Sequence, residues 1–176
     1  MSGPEKGKET TEFDSISYRR ALGCYPTGVA VMTAVTPAGD HVGITVNSFA
    51  SVSLEPPLIS ICLGKHLSRF EALISAHVFS LNILREDQSE LSSQFAGNGR
   101  GKWLGVRFRI GHNGTRILEP NLALLECQRH HNYRAGDHDI VIGRVFAFHY
   151  DRGAAPLLFY RGAYHRVKSP GVVGEE

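Results

Sequence analysis

Four short polar side chains, Thr45, Asn47, Ser48 and Ser51, interrupt an otherwise apolar stretch, ITVNSFASVSL. Hydroxyls and carboxamides both donate and accept hydrogen bonds, which suits a ligand that presents carbonyls and ring nitrogens. The same spacing describes the polar face of a half-exposed edge strand, where alternation of this kind is ordinary. A second group, Gly64, Lys65, His66, Leu67, Ser68 and Arg69, follows the apolar run LISICL and precedes a helical pattern. Free amides at a helix start, a hydroxyl and two cations are the parts of a phosphate pocket. Read more plainly, Ser68 only caps the helix, and Lys65 and Arg69 are solvated charges.

Two further groups lie in the C-terminal half. His138 stands beside the turn Ala135-Gly136-Asp137, where a histidine either contacts a ligand or satisfies local backbone. Phe159, Tyr160, Arg161, Gly162 and Tyr164 combine rings, a cation and a flexible backbone, either a stacking and anion-binding wall or an ordinary strand with a tyrosine at its rim. His130 and His131 are adjacent on a strand pattern, so they point to opposite faces, and no HExxH spacing occurs; no metal is assigned. GxSxG, P-loop and GxGxxG patterns are absent, which removes the common hydrolase, NTPase and Rossmann readings. Cys24, Cys62 and Cys127 are odd in number and widely spaced, against a disulfide framework or a structural zinc.

The elements that must position these groups follow from periodicity. Residues 15–22 (SISYRRAL) fit a short amphipathic helix ended by Gly23 and Pro26. The β-branched run 28–35 and its return over 42–46 flank the turn TPAGD as a hairpin. Residues 58–63 form a strand after Pro56-Pro57. Ser68 with Glu71, and Asp87 with Glu90, have capping-box spacing and predict helices over 68–76 and from 87 towards Phe95, with a strand over 78–84 between them. A glycine-rich loop over 97–114 holds one strand near 106–110, residues 123–133 and 139–150 form a wide hairpin, and 157–167 closes the fold. Many strands, few helices and no βαβ alternation predict a mainly β protein with short helices, an antiparallel barrel of Greek-key type.

The chain has 176 residues, 42% of them apolar and 20% charged, room for one substantial core. A net charge of +2 with scattered arginines gives no nucleic-acid footprint, and no apolar run is long enough for a spanning helix. The segments 1–14 and 169–176 read as tails around a domain over 15–168; with no signal-peptide pattern, a cytoplasmic location without membrane partner is expected.

Taken in order, PTGVAVMTA from Pro26, GITVNSFASVSLEPPLISICL from Gly43, FSLNIL from Phe79, AGDHDIVIGRV from Ala135 and LLFYRGAY from Leu157 resemble the flavin reductase-like family, the small partner of two-component flavin-dependent monooxygenases. The resemblance runs from about Tyr18 to Val167. It implies a split β-barrel that forms a homodimer and binds FMN or FAD noncovalently near the subunit boundary, with NADH or NADPH as co-substrate and a separate monooxygenase as recipient of reduced flavin. By position, Thr45, Val46, Asn47 and Ser48 would line the isoalloxazine, and Cys62, Leu63, Gly64, Lys65, Ser68 and Arg69 would hold the ribityl phosphate end. Phe95 would lie near the flavin; His138 and the segment Tyr160, Arg161, Gly162 would meet the nicotinamide nucleotide. The residues leave two other classes open: a flavin carrier or sensor without turnover, and an oxidase of the pyridoxamine-phosphate oxidase type.

Overall fold

The computed structural model describes residues 13–97, 99 and 101–167, so most of both expected tails lies outside the described residues. A short helix, α1 (Ser15–Leu22), leads into β1 (Thr27–Gly28), β2 (Ala30–Val35), β3 (His41–Val46), β4 (Ala50–Leu54) and β5 (Pro57–Gly64). Then come α2 (Phe70–Ser75), β6 (Val78–Ile83), α3 (Ser89–Ala96), β7 (Phe108–Ile110) and β8 (Arg116–Leu118). The long strands β9 (Ala123–Ala135) and β10 (His138–Tyr150) and the hairpin β11 (Leu157–Tyr160) and β12 (Ala163–Arg166) complete the chain. Among the described residues no helix is long and apolar enough to cross a membrane.

Every strand pairing is antiparallel. Seven strands form one sheet in the order β3-β2-β6-β9-β10-β5-β4, beside a three-stranded sheet β1-β11-β12 and the pair β7-β8. The large sheet is not hydrogen-bonded into a closed barrel. Its two edge strands, β3 and β4, are nevertheless consecutive in the chain, joined only by Asn47, Ser48 and Phe49.

β2 explains the continuous apolar text of its segment, because both its faces are covered. Ala30, Met32 and Ala34 enter a core with Ile44, Ile61, Leu63, Phe79 and Leu81. Val29 and Val31 face a second core with Leu84, Phe95, Leu118 and Leu157. Between them, Asn82 on β6 is fully buried, and its amide donates to Val31 O at 3.1 Å and Thr33 Oγ1 at 3.3 Å while Oδ1 accepts from Leu118 N at 2.9 Å. α3 sits against β3: Lys102 Nζ donates to Phe95 O at 2.7 Å and Gly43 O at 3.3 Å, and Trp103 Nε1 donates to His41 O at 3.1 Å. Burial, helped by the charge of Arg69, holds the Lys102 amine below the ordinary lysine range.

Several expectations are corrected. The strand over 28–35 is broken at Val29, because β1 pairs with β11 while β2 pairs with β3 and β6. Neither expected capping box forms. α2 begins at Phe70 with Arg69 at its cap and no side-chain cap bond, because a turn intervenes, with Leu67 N bonded to Gly64 O and Phe70 N to Leu67 O. α3 begins at Ser89, capped by Gln88, whose side chain instead accepts from Arg85 N at 2.8 Å and donates to Pro120 O at 2.7 Å. Asp87 faces Arg85 at 3.5 Å. β4 and β8 are additional strands, the latter pairing with β7. The β9–β10 hairpin tightens to a two-residue turn, Gly136-Asp137, with Gly136 at φ 63°.

His41, at the start of β3, carries the clearest pH dependence. Burial and then the Arg116 guanidinium lower its pKa from 6.5, against a smaller opposing effect of Asp40. The unfolded chain therefore binds a proton that the folded chain refuses, so stability present above pH 6.5 is lost as the pH falls through 6.5 towards the folded value. The urea midpoint should drop between pH 7 and pH 5, and His41→Gln should remove part of that drop; an unchanged drop would mean that other groups cause it.

Candidate functional site

The end of β3 opens into a cleft of about 220 Å³. Thr45, Val46 and Asn47 form one wall, Ser92 and Ala96 of α3 a second, and Phe159 and Tyr164 of the β11–β12 hairpin a third. Thr45 Oγ1 donates to Ser92 O at 2.6 Å, and Ser92 Oγ and Tyr164 Oη share a hydrogen bond at 2.8 Å. The Phe159 and Tyr164 rings meet edge to face, 5.6 Å apart. These bonds fix the three walls relative to one another and leave acceptor lone pairs on the hydroxyls. Asn47 is exposed and also borders the adjoining hollow lined by Tyr25, Gly28 and Phe49.

Ser48 connects this cleft to the second group of candidate residues. Its hydroxyl donates to Cys62 O and accepts from Cys62 N, both at 3.0 Å, standing in for a strand residue beside β5. Two residues further along β5, Gly64 is paired with His138. A Cβ at Gly64 would lie 2.4 Å from His66 Cε1 and 3.3 Å from His138 Nε2, so the His66 ring lies directly on the buried Gly64 backbone, where the two rings, with centroids 6.1 Å apart, converge. Ser48 thus joins the segment of Thr45 and Asn47 to Cys62 on β5, with Gly64 and His138 paired two residues further along, while the side chains of Val46 and Leu63 belong to the buried core.

The cations near this junction are partly engaged. Lys65 Nζ donates to Gly136 O at 2.6 Å and lies 3.6 Å from the buried carboxylate of Asp139. Ser68 is exposed in the turn before α2, and Arg69 is half-buried there. His138 Nδ1 is 2.7 Å from Asp137 Oδ1, and that hydrogen bond, then the imidazole charge, holds the Asp137 carboxyl below the usual range. Phe95 does not face the cleft. Its ring is 0% exposed, packed edge to face on Trp103 at 5.0 Å and against Gly43, so it supports α3 from behind.

Tyr160 ends β11, and Arg161 and Gly162 form the β11–β12 turn against α1. Of the residues expected at the nicotinamide nucleotide, Arg161 and Gly162 line a depression beside α1, while His138 sits at the start of β10 opposite Gly64. Ser92, Val29 and Ala96 were not foreseen; a serine inside a short helix carries no signal of its own. The Cys127 thiol is pushed up to about 12 by burial and by Glu126, which leaves it inert. Among the described residues neither histidine–carboxylate pair, His138–Asp137 or His112–Glu126, has a hydroxyl or thiol bonded to its histidine.

An antiparallel β-protein of this kind, with an open cleft of apolar walls and a few hydroxyl and amide groups, suits a ligand that brings its own reactivity. The chain belongs to the family of the flavin reductase like domain, which matches residues 22–168. It is 44% identical to FMN reductase (NADH) SmoA of Agrobacterium fabrum (strain C58 / ATCC 33970), over 87% of this chain and 86% of the relative. It is 40% identical to a probable flavin reductase of Rhizobium meliloti (strain 1021) over 90% of this chain, spanning about half (51%) of that longer relative. The solved styrene monooxygenase flavin reductase of Pseudomonas putida S12 superposes with a TM-score of 0.78 at 33% identity, covering 86% of this chain and 97% of that one.

Proposed function

We propose that the chain is an NAD(P)H:flavin oxidoreductase that reduces FMN or FAD and releases the reduced flavin to a separate monooxygenase. One observation carries the reading: the paired Ser48–Cys62 hydrogen bonds join the Thr45–Ser48 segment to the Cys62–Gly64 strand as a single surface. The residues fit a flavin. Thr45, Asn47 and Tyr164 offer hydroxyl and amide groups to ring carbonyls and nitrogens, and Lys65, Ser68 and Arg69, beside Gly64, would hold a phosphate-bearing tail. A flavin held by these residues would supply a two-electron acceptor for hydride from a nicotinamide nucleotide. The chain's own part is positional. Phe159 and Tyr164 wall the cleft, His138 and the Tyr160–Gly162 turn orient the nucleotide, and proximity of this kind supplies several kcal/mol of barrier lowering.

The shape supports a split barrel, since edge strands joined by three residues require the seven-stranded sheet to curl. Homodimerisation rests on the family resemblance of the sequence alone, and the monooxygenase partner on the relatives, one named as an FMN reductase using NADH and one as the flavin reductase of a styrene monooxygenase. The test is a matrix of NADH and NADPH against added FMN and FAD, followed at 340 nm, with a separate flavin titration. Nucleotide oxidation that requires added flavin is the expected result. Flavin binding without nucleotide oxidation would favour a carrier. A tightly retained flavin that turns over an organic substrate would favour an oxidase.

A further inference from the structure

Where β6, β8 and β10 end, the chain encloses a hollow of about 380 Å³, separate from the residues assigned to flavin and nucleotide. Arg85, Arg107, Arg109, Glu119, Asn121 and Asp151 line it. Gln88 ties two of its sides together, accepting from Arg85 N at 2.8 Å and donating to Pro120 O at 2.7 Å. We propose that this hollow is a second ligand site, which binds an acidic amino acid: a small molecule with two carboxylates and one ammonium group.

Asn121 sets the first requirement. The residue is 8% exposed, and its Nδ2 donates to Leu118 O at 2.7 Å, which fixes the orientation of the amide. Oδ1 accepts from no donor among the described residues. A buried amide oxygen left in this way costs about 1–3 kcal/mol, and an N–H brought by a ligand removes that cost. Arg85 sets the second requirement. Its Nε is buried and donates to no acceptor among the described residues, since the neighbouring carboxylates of Asp87 and Asp151 stand off at 3.5 and 4.0 Å. One spare acceptor and one spare donor at the same hollow call for a ligand that carries both an N–H group and an anionic oxygen. An inorganic anion or a simple amine satisfies one of them and leaves the other buried without a partner.

Charge fixes the class. Glu119 holds Arg109 at 3.1 Å, Asp151 lies beside Arg85, and Arg107 is the third guanidinium, exposed at the rim. Three guanidinium groups against two carboxylates leave an excess of one positive charge, and an acidic amino acid carries the one negative charge that cancels it. Planar guanidinium groups also match carboxylates in shape, with two parallel hydrogen bonds. The ligand's ammonium meets Asn121 Oδ1, and its carboxylates meet Arg85 and Arg107. The volume lies within the range of small-molecule sites.

Calorimetric titration of the unmodified protein at pH 8, with L-glutamate as the probe, should give a Kd below about 1 mM. Glutarate, which keeps both carboxylates and lacks the N–H group, should bind at least tenfold more weakly, and so should 4-aminobutyrate, which lacks one carboxylate. Arg107→Gln changes an exposed side chain outside both cores; it should weaken L-glutamate at least tenfold and leave the flavin dissociation constant within about twofold. No binding of L-glutamate up to about 10 mM, equal binding of either analogue, or an unchanged affinity in Arg107→Gln would each overturn the assignment. The titration needs neither flavin nor nucleotide, so its outcome is independent of the reductase reading.

Discussion

Asn82→Ala is expected to lower the unfolding free energy by about 3–5 kcal/mol, among the largest effects of any single substitution here. The side chain is fully buried and makes three hydrogen bonds, to Val31 O, Thr33 Oγ1 and Leu118 N. Truncation removes all three and leaves a carbonyl and an amide without partners between the two cores, where each costs about 1–3 kcal/mol. Thr33→Val, which removes only the longest of the three bonds, should cost about 1 kcal/mol. Urea denaturation of both variants checks the ranking; equal losses would show that Asn82 matters for its volume and not for its bonds.

His138→Ala is expected to reduce kcat/KM for the nicotinamide nucleotide on the order of tenfold to a hundredfold, while the flavin dissociation constant stays within about twofold. The imidazole is tethered on one side by Asp137 and turns Nε2 towards Gly64 and the His66 ring that covers it, two residues along β5 from Cys62. Its side chain is 41% exposed and belongs to neither core, so the melting temperature should not move. Stopped-flow separation of nucleotide binding from flavin reduction checks the assignment. Weakened flavin binding with normal nucleotide use would move His138 to the flavin side.

Where burial wrote a strong pattern, the fold was legible. Residues 15–22 form the expected helix with the same bounds, and the runs around Met32, Ile61 and Phe79 are strands because their apolar residues fill the two cores. β4 left no such trace: ASVSL is almost wholly exposed, so nothing in its residue types distinguishes a paired edge from a loop. Ser68 and Asp87 misled for a different reason, since residues with short polar side chains serve turns as well as caps, and in both places the chain turns first. The residues around Thr45 and around Gly64 were readable as two separate polar groups, but their junction at Ser48 and Cys62 is a tertiary fact. Phe95 shows the opposite failure: its place in α3 is near the cleft, and only the rotation of the helix decides that Ser92 faces the opening and Phe95 the interior.

The clamp of Lys102 and Trp103 on β3 has a consequence for the protein in concentrated solution. β3 is an outermost strand, and such strands offer spare carbonyls on which a foreign chain can grow. Here the carbonyls of His41 and Gly43 are already occupied by the indole and the ammonium, with the Thr45 hydroxyl bonded to α3 beyond them. Such a sealed border cannot template another strand, which protects the protein from fibrillar self-association along this side.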